Sequence, residues 1–240
     1  MRNNNQAWPK EIFVLIPSYK SVHPLGEFLA KLLTVVPKEN ICVVDDGSGD
    51  GSEQLCKQMD LACIVHENNM GKGAALTTGF NFLIHKRGAR WIISMDADGQ
   101  HSVDDLPQFL ESVNENPDAG ICIGARAMKA GIMPLARICS NKLTSGFLSI
   151  LTSAKILDSQ CGYRLYSAQM LEKVSLDYKR FEMESEVILK AIHAGFAVCF
   201  VQVHTLYLKD NSSHISHVYD TYRWIKAVIS VWFNMQKSNP

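Results

Sequence analysis

The sequence carries no net formal charge, because 24 lysines and arginines balance 24 aspartates and glutamates over its 240 residues. Nucleic-acid-binding chains rely on a basic field to collect phosphates, so no nucleic-acid partner is expected. No apolar run reaches the roughly 18–20 residues that span a bilayer. Residues 1–6 are polar and Asn-rich, the opposite of a signal peptide. The expectation is a cytoplasmic protein, soluble or peripheral at the inner face of a membrane. The seven cysteines (42, 56, 63, 122, 139, 161 and 199) form no C-x-x-C pair. Several lie in apolar, strand-like runs and read as buried reduced thiols, not as a zinc site or a disulfide framework. There is no internal repeat, no low-complexity linker and no G-x-G-x-x-G after the first strand. Gly71-Lys72-Gly73 lacks the spaced upstream glycine and the following Ser or Thr of a phosphate loop. These gaps count against a nicotinamide-binding Rossmann enzyme and a P-loop ATPase.

What is present is alternation. Apolar runs at 12–16, 41–44, 63–66, 91–95 and 120–124 read as buried strands, the first stopped by Pro17. Helical stretches fall between them, near 25–35, 52–59, 72–86 and 103–114. Strand–helix alternation of this kind implies right-handed parallel crossovers, hence an α/β domain with a doubly wound, mostly parallel sheet flanked by helices. Beyond Arg126 the alternation fails. A loop with Gly131 and Pro134 leads to a helix at 137–151, a strand-like 161–166, helices at 168–174 and 184–194, and a returning strand at 196–208. The reading is one domain over 1–217, in two halves of about 11–126 and 127–217, followed by an amphipathic helix within 218–240. Apolar residues of that helix recur at 219, 222, 225, 228–229 and 232–233. Such a face either packs on the core or lies in a membrane interface with Arg223 and Lys226 beside it.

The strand at 91–95 ends in Asp96-Ala97-Asp98-Gly99-Gln100-His101. Residues two apart on a strand share a face, so both carboxylates can project from its carboxyl end, where open α/β sheets bind ligands. Two hard oxygens suit Mg²⁺ or Mn²⁺; a plain Asp/Gly turn is the alternative. Asp45-Asp46-Gly47-Ser48 ends a second strand in the same way. A carboxylate there accepts hydrogen bonds from a base or ribose, or closes an Asx turn. Lys72 and its flanking glycines open a helix, which can approach a diphosphate or simply start with glycines. Glu182, Glu184 and Glu186 offer a carboxylate base for a hydroxyl acceptor, Glu184 first, or a charged helix entry.

Taken together, Ile16-Pro17-Ser-Tyr19, Val44-Asp45-Asp46-Gly47-Ser48, Asn69-x-Gly71-Lys72-Gly73-Ala-Ala75, Asp96-Ala97-Asp98-Gly99-Gln100-His101 and Gly124-Ala-Arg126 occur in the order that resembles family 2 glycosyltransferases of the GT-A fold. The nearest branch is the dolichol-phosphate mannose synthase and polyprenyl-phosphate glucosyltransferase group, which Asp158-Ser-Gln-Cys-Gly162-Tyr-Arg164 also resembles. The resemblance covers about 11–207. It implies that Pro17, Tyr19, Asp45, Lys72, Asp96, Ala97 and Asp98 hold a nucleoside-diphosphate sugar (UDP or GDP). Asp96, Asp98 and Gln100 would serve the metal. Arg126 and Arg137 would face the acceptor's phosphate, and Arg164 either joins them or supports the site or pairs with Glu182 or Glu184, with 11–126 as the donor half and 127–217 as the acceptor half. Arginine suits phosphate because its planar guanidinium donates two parallel hydrogen bonds, whereas the bland use of each is an ion pair. Lys20-Ser21 departs from the Asn-Glu common in the family after the tyrosine, and many polyprenyl-phosphate members carry C-terminal transmembrane helices that this sequence lacks.

The implied chemistry is inverting transfer of the sugar to polyprenyl phosphate, with Asp98, Arg126 and Glu184 as the catalytic set. A saccharide hydroxyl is the alternative acceptor. From other classes, a sugar nucleotidyltransferase would carry a Gly-rich loop after the first strand, where Pro17-Ser-Tyr-Lys20 stands. A degenerate nucleotide-binding protein would be expected to lose one aspartate of the pair.

Overall fold

The structure, a computed structural model, describes residues 7–129, 133–204 and 217–237. Residues 1–6, Gly131 and 205–216, including the expected strand end at Leu208, lie outside the described residues, as does the side chain of Tyr219. The elements run β1 (Ile12–Ser18), α1 (Val22–Leu32), β2 (Ile41–Asp45), α2 (Ser52–Gln58), β3 (Ala62–Val65), α3 (Lys72–Arg87), β4 (Trp91–Ser94), α4 (Leu106–Glu115), β5 (Ala119–Arg126), α5 (Leu135–Thr152), β6 (Arg164–Ser167), α6 (Ala168–Lys173), α7 (Met183–His193), β7 (Ala197–Val203) and α8 (His217–Lys237).

Both halves share one seven-stranded sheet in the order β3-β2-β1-β4-β6-β5-β7. All residues of β1, β2, β4 and β6 are buried, as expected of strands covered on both faces. All pairs are parallel except those of β6, which runs antiparallel to both β4 and β5. Pro17 does not stop β1, contrary to the sequence expectation; it pairs with Val44. Leu15 O accepts from Met95 N on the β4 side and Ser18 O accepts from Asp46 N on the β2 side. Alternation therefore puts the Pro17 nitrogen on the β4 side, beyond the last rung, where no donor is needed.

The antiparallel insertion of β6 matters most for the site. Arg164, its first residue, pairs with Ser94 and Ile123, at the carboxyl ends of β4 and β5. The segment 158–163 that leads into it therefore crosses the same sheet edge that carries the aspartates.

The C-terminal helix α8 packs on α7 through a face turned from the one read in the sequence. Ala227, Val228 and Val231 are buried, Trp224 Nε1 donates to Ser185 Oγ at 2.8 Å, and Arg223 pairs with buried Glu182. Tyr222, Ile225, Ile229 and Phe233 form a second apolar stripe, which is exposed. The two stripes predict opposite responses. Val228→Ala should destabilise the protein by about 1–3 kcal/mol through a cavity against α7, and Phe233→Ser should stay within about 0.5 kcal/mol of the parent. Urea unfolding of both variants checks this, and equal losses would refute the assignment of the faces.

Candidate active site

Strand β4 delivers Asp96 and Asp98 to the carboxyl edge on a turn closed by Gly99, whose φ of +72° is left-handed. Asp98 Oδ1 accepts the Gln100 N–H at 3.0 Å, so the segment is a turn as well as a carboxylate pair. His101 Nδ1 accepts the Asp96 N–H at 3.0 Å, and its ring stacks on Tyr163 at 4.9 Å between centroids. Burial pushes the His101 pKa down. The neutral ring with Nδ1 accepting then carries its proton on Nε2, 3.8 Å from Asp96 Oδ2. Burial would raise the Asp96 carboxyl, but Lys72, aided by Arg126, holds it at about 2. Asp98 is raised, by burial first and then by the charge of Asp96. A carboxyl raised by an ionised neighbour, as Asp98 is by Asp96, is one whose charged form a cation would favour. Among the described residues no third His, Cys, Asp or Glu joins them in a metal-binding group. The two carboxylates fit Mg²⁺ or Mn²⁺, either of which would need further oxygen ligands from outside the pair.

Lys72, at the start of α3, lies between two carboxylates: its Nζ is 2.6 Å from Asp96 Oδ1 and 2.7 Å from Glu184 Oε1. The flanking glycines serve packing. A Cβ on Gly71 or Gly73 would lie 2.5 Å from Lys179 O or 2.7 Å from Tyr178 O, and the Ala74 N–H donates to Lys179 O at 2.9 Å. The 178–180 segment thus caps the helix. The three glutamates separate by role. Glu182 pairs with Arg223, Glu186 accepts the Asp177 and Tyr178 N–H groups and pairs with Lys190, and Glu184 holds Lys72.

The two aspartates after β2 also divide. Asp46 is spent on structure, with Oδ1 accepting Met70 N–H and meeting His66 Nδ1, and Oδ2 accepting Gly71 N–H. Asp45 closes the anticipated Asx turn through Ser48 N–H at 3.1 Å. It also lines a recess of about 320 Å³ with Gly49, Gly51, Glu53, Gln54 and Val65. Pro17 lies inside β1, and Tyr19 stands exposed just beyond that strand's end, with Lys20 Nζ 5.3 Å from the centre of its ring.

Arg126 ends β5, and its Nε and Nη2 donate to the fully buried Asp158 at 2.8 and 3.0 Å. Asn141 Nδ2 of α5 donates to the same carboxylate at 2.6 Å, tying the helix that carries half-buried Arg137 to the same anchor. Of the uses the sequence left open for Arg164, the structure supports the supporting one and contradicts the acceptor-phosphate one. It is fully buried, and its guanidinium donates to Cys161 O, Glu184 O and Ser159 O at 2.6, 2.6 and 2.7 Å. A guanidinium spent on interior carbonyls supports the site from below and does not meet an acceptor. Sequence reasoning quoted His101, Asp158 and Gly162 within motifs without giving them roles, and it passed over Asn141. The buried carboxylate of Asp158 was the available signal, since such a group requires a cationic partner.

Burial would raise the Asp158 pKa, but the Arg126 and Asn141 hydrogen bonds lower it. A carboxyl depressed in the folded state contributes stability above its unfolded pKa and loses it as pH falls through the folded value. Asp158→Asn should therefore cost about 3–5 kcal/mol at pH 7, the range for breaking a buried pair, and flatten the loss of stability below about pH 4. Urea unfolding of parent and variant at pH 7 and pH 3.5 measures both effects; an unchanged pH slope would refute the role given to Asp158.

The family model for glycosyl transferase family 2 matches residues 13–175. The polyprenol monophosphomannose synthase of Mycolicibacterium smegmatis is 31% identical over 202 residues, covering 79% of this chain and 75% of the relative. The undecaprenyl-phosphate mannosyltransferase of Micrococcus luteus is 30% identical over 174 residues, covering 69% and 70%. Among solved structures, the glucosyl-3-phosphoglycerate synthase of Mycobacterium tuberculosis, in complex with Mn²⁺, UDP and glucosyl-3-phosphoglycerate, superposes with a TM-score of 0.72 at 14% identity. That match covers 94% of this chain and 80% of that one. With the doubly wound sheet and the paired aspartates at its edge, these matches identify the chain as a hexosyltransferase of glycosyl transferase family 2, built on the GT-A fold.

Proposed function

We propose that the chain moves a sugar from a nucleoside-diphosphate sugar to polyprenyl phosphate with inversion at the anomeric carbon. The observation that carries this reading is the division of charge along one sheet edge. Asp45, Asp96 and Asp98 lie at the ends of β2 and β4, and Arg126 lies at the end of β5, across β6. The acidic side suits a donor with its cation, and the guanidiniums of Arg126, held by Asp158, and Arg137 suit an anionic acceptor. The polyprenyl-phosphate names of the two mannosyltransferase relatives support the same choice of acceptor.

In this reading Tyr19 and Asp45 hold the base and ribose beside Pro17, while Asp96 and Asp98, with Ala97 between them and Gln100 after them, receive Mg²⁺ or Mn²⁺. The bound ion supplies neutralisation of charge on the leaving diphosphate. Arg126, fixed in orientation by Asp158, and Arg137 on α5 orient the acceptor phosphate. Its oxygen forms the new bond to the anomeric carbon as the bond to the nucleoside diphosphate breaks. A phosphate is already ionised, so positioning carries the catalysis and no carboxylate base is required. The commitment of Glu184 to Lys72 agrees with that and disfavours a hydroxyl acceptor.

The exposed stripe of α8 belongs to the same reading. No helix among the described residues is long and apolar enough to cross a membrane. A lipid acceptor instead requires the protein to come to the bilayer surface. Tyr222, Ile225, Ile229 and Phe233 on α8 are exposed, as are Leu143 and Ile150 on α5, and the two helices meet where the Phe147 ring lies 5.9 Å from that of Trp224. Lys226 and Lys142 lie beside these residues and suit an anionic headgroup layer.

Asp98→Asn should reduce transfer from UDP- or GDP-sugars to a short polyprenyl phosphate by at least about a hundredfold with little change in thermal unfolding. Full activity of that variant in chelator would overturn the reading. The parent should sediment with anionic liposomes, and Ile229→Ser/Phe233→Ser should lose that binding while remaining folded. No sedimentation of the parent would remove α8 from the membrane surface.

A further inference from the structure

Lys72 is the feature that the proposed transfer leaves unexplained. Its ammonium lies 2.6 Å from Asp96 Oδ1, one of the oxygens assigned to the divalent ion. A metal bond and an ammonium contact on the same oxygen exclude each other. On the neighbouring oxygen the two cations repel through a buried, weakly screened environment. The second contact, 2.7 Å to Glu184 Oε1, gives the ammonium another seat. Glu184 is itself held: its backbone carbonyl accepts from Arg164, and Arg164 Nη2 lies 4.0 Å from its Oε2. The space for such a shift comes from Gly162. A Cβ there would lie 2.5 Å from Asp96 Oδ2 and 2.7 Å from Lys72 Nζ, so any larger residue would wedge the two groups. The backbone at Lys72 is fixed by the cap at Lys179 O, which confines movement to the flexible side chain.

We infer that Lys72 is a positioning residue that competes with the divalent ion for Asp96, so that the carboxylate pair takes up its metal together with a nucleoside diphosphate and not ahead of it. A diphosphate brings negative charge to both cations, and Lys72 then has three anionic groups to choose among. Glu184 is the seat that keeps the ammonium paired throughout. This inference rests on the donor chemistry proposed above. By linkage, a group that weakens metal binding alone but not metal binding with diphosphate raises the coupling between the two ligands, and the coupling is the same whichever binds first.

The test is Mn²⁺ titration of the full chain, followed by electron paramagnetic resonance, with no nucleotide and then with UDP or GDP in excess. The parent should bind Mn²⁺ at least tenfold more tightly with one of the diphosphates than without. Lys72→Met should tighten Mn²⁺ binding without nucleotide at least tenfold and shrink the coupling, whereas Lys72→Arg should behave as the parent. Unchanged or weaker binding of Mn²⁺ alone by Lys72→Met overturns the inference, as does an arginine variant that behaves like the methionine one. Should the methionine variant not fold, the parent decides: equal Mn²⁺ affinity with and without diphosphate overturns the inference. A parent that binds neither UDP nor GDP with Mn²⁺ removes the donor reading itself, and the inference with it.

Discussion

A fully buried guanidinium organises this site. Arg164 has no exposed surface, and an interior charge is tolerable only when its donors are satisfied. Its partners are three backbone carbonyls, from Ser159, Cys161 and Glu184. The first two belong to the segment that crosses the sheet edge; the third belongs to the start of α7. One side chain thereby locks two stretches far apart in sequence. The first presents Asp158 to Arg126, and the second presents Glu184 to Lys72. The groups proposed for donor and acceptor are both positioned through that one buried charge.

The same edge shows how similar residues divide between structure and chemistry. Asp45 and Asp46 are adjacent, yet Asp46 is consumed by His66, Met70 and Gly71 while Asp45 lines an open recess. Successive strand residues point to opposite sides, so a change of one position changes the task. Glu182, Glu184 and Glu186 repeat the pattern on α7, where spacing by two turns each carboxylate to a different neighbour: Arg223 of α8, Lys72 of α3, and the 177–178 backbone with Lys190. Residue type makes these groups candidates, and the neighbour decides their use.

Helix α8 carries two apolar stripes. The buried one, with Ala227, Val228, Val231 and half-buried Trp224, closes over α7. The exposed one carries Tyr222, Ile225, Ile229 and Phe233. A helix apolar on most of its circumference that packs through one side leaves an outward face suited to a second apolar phase, which the lipid acceptor proposed above would supply.

Most of the architecture was legible in the sequence, because burial on both faces of a parallel strand forces apolar runs and crossover helices force regular spacing between them. The paired aspartates at the end of β4, the acidic end of β2 and Arg126 at the end of β5 were legible for the same reason: a strand end fixes where its next residues project. Direction and partner were not. A strand-like 161–166 has the same pattern whether it runs parallel or antiparallel, and only the sheet shows β6 reversed between β4 and β5. Nothing local distinguishes Arg164 from Arg126. Both are arginines at strand ends within motifs of the same family, and only the tertiary structure buries one while giving the other Asp158. Likewise the sequence left the glycines around Lys72 open between a phosphate approach and a plain helix start, and only the fold shows the 178–180 backbone packed against them. Periodicity records which side of an element faces the core; which groups meet across the site depends on contacts between segments distant in the chain, and those were decided by the fold.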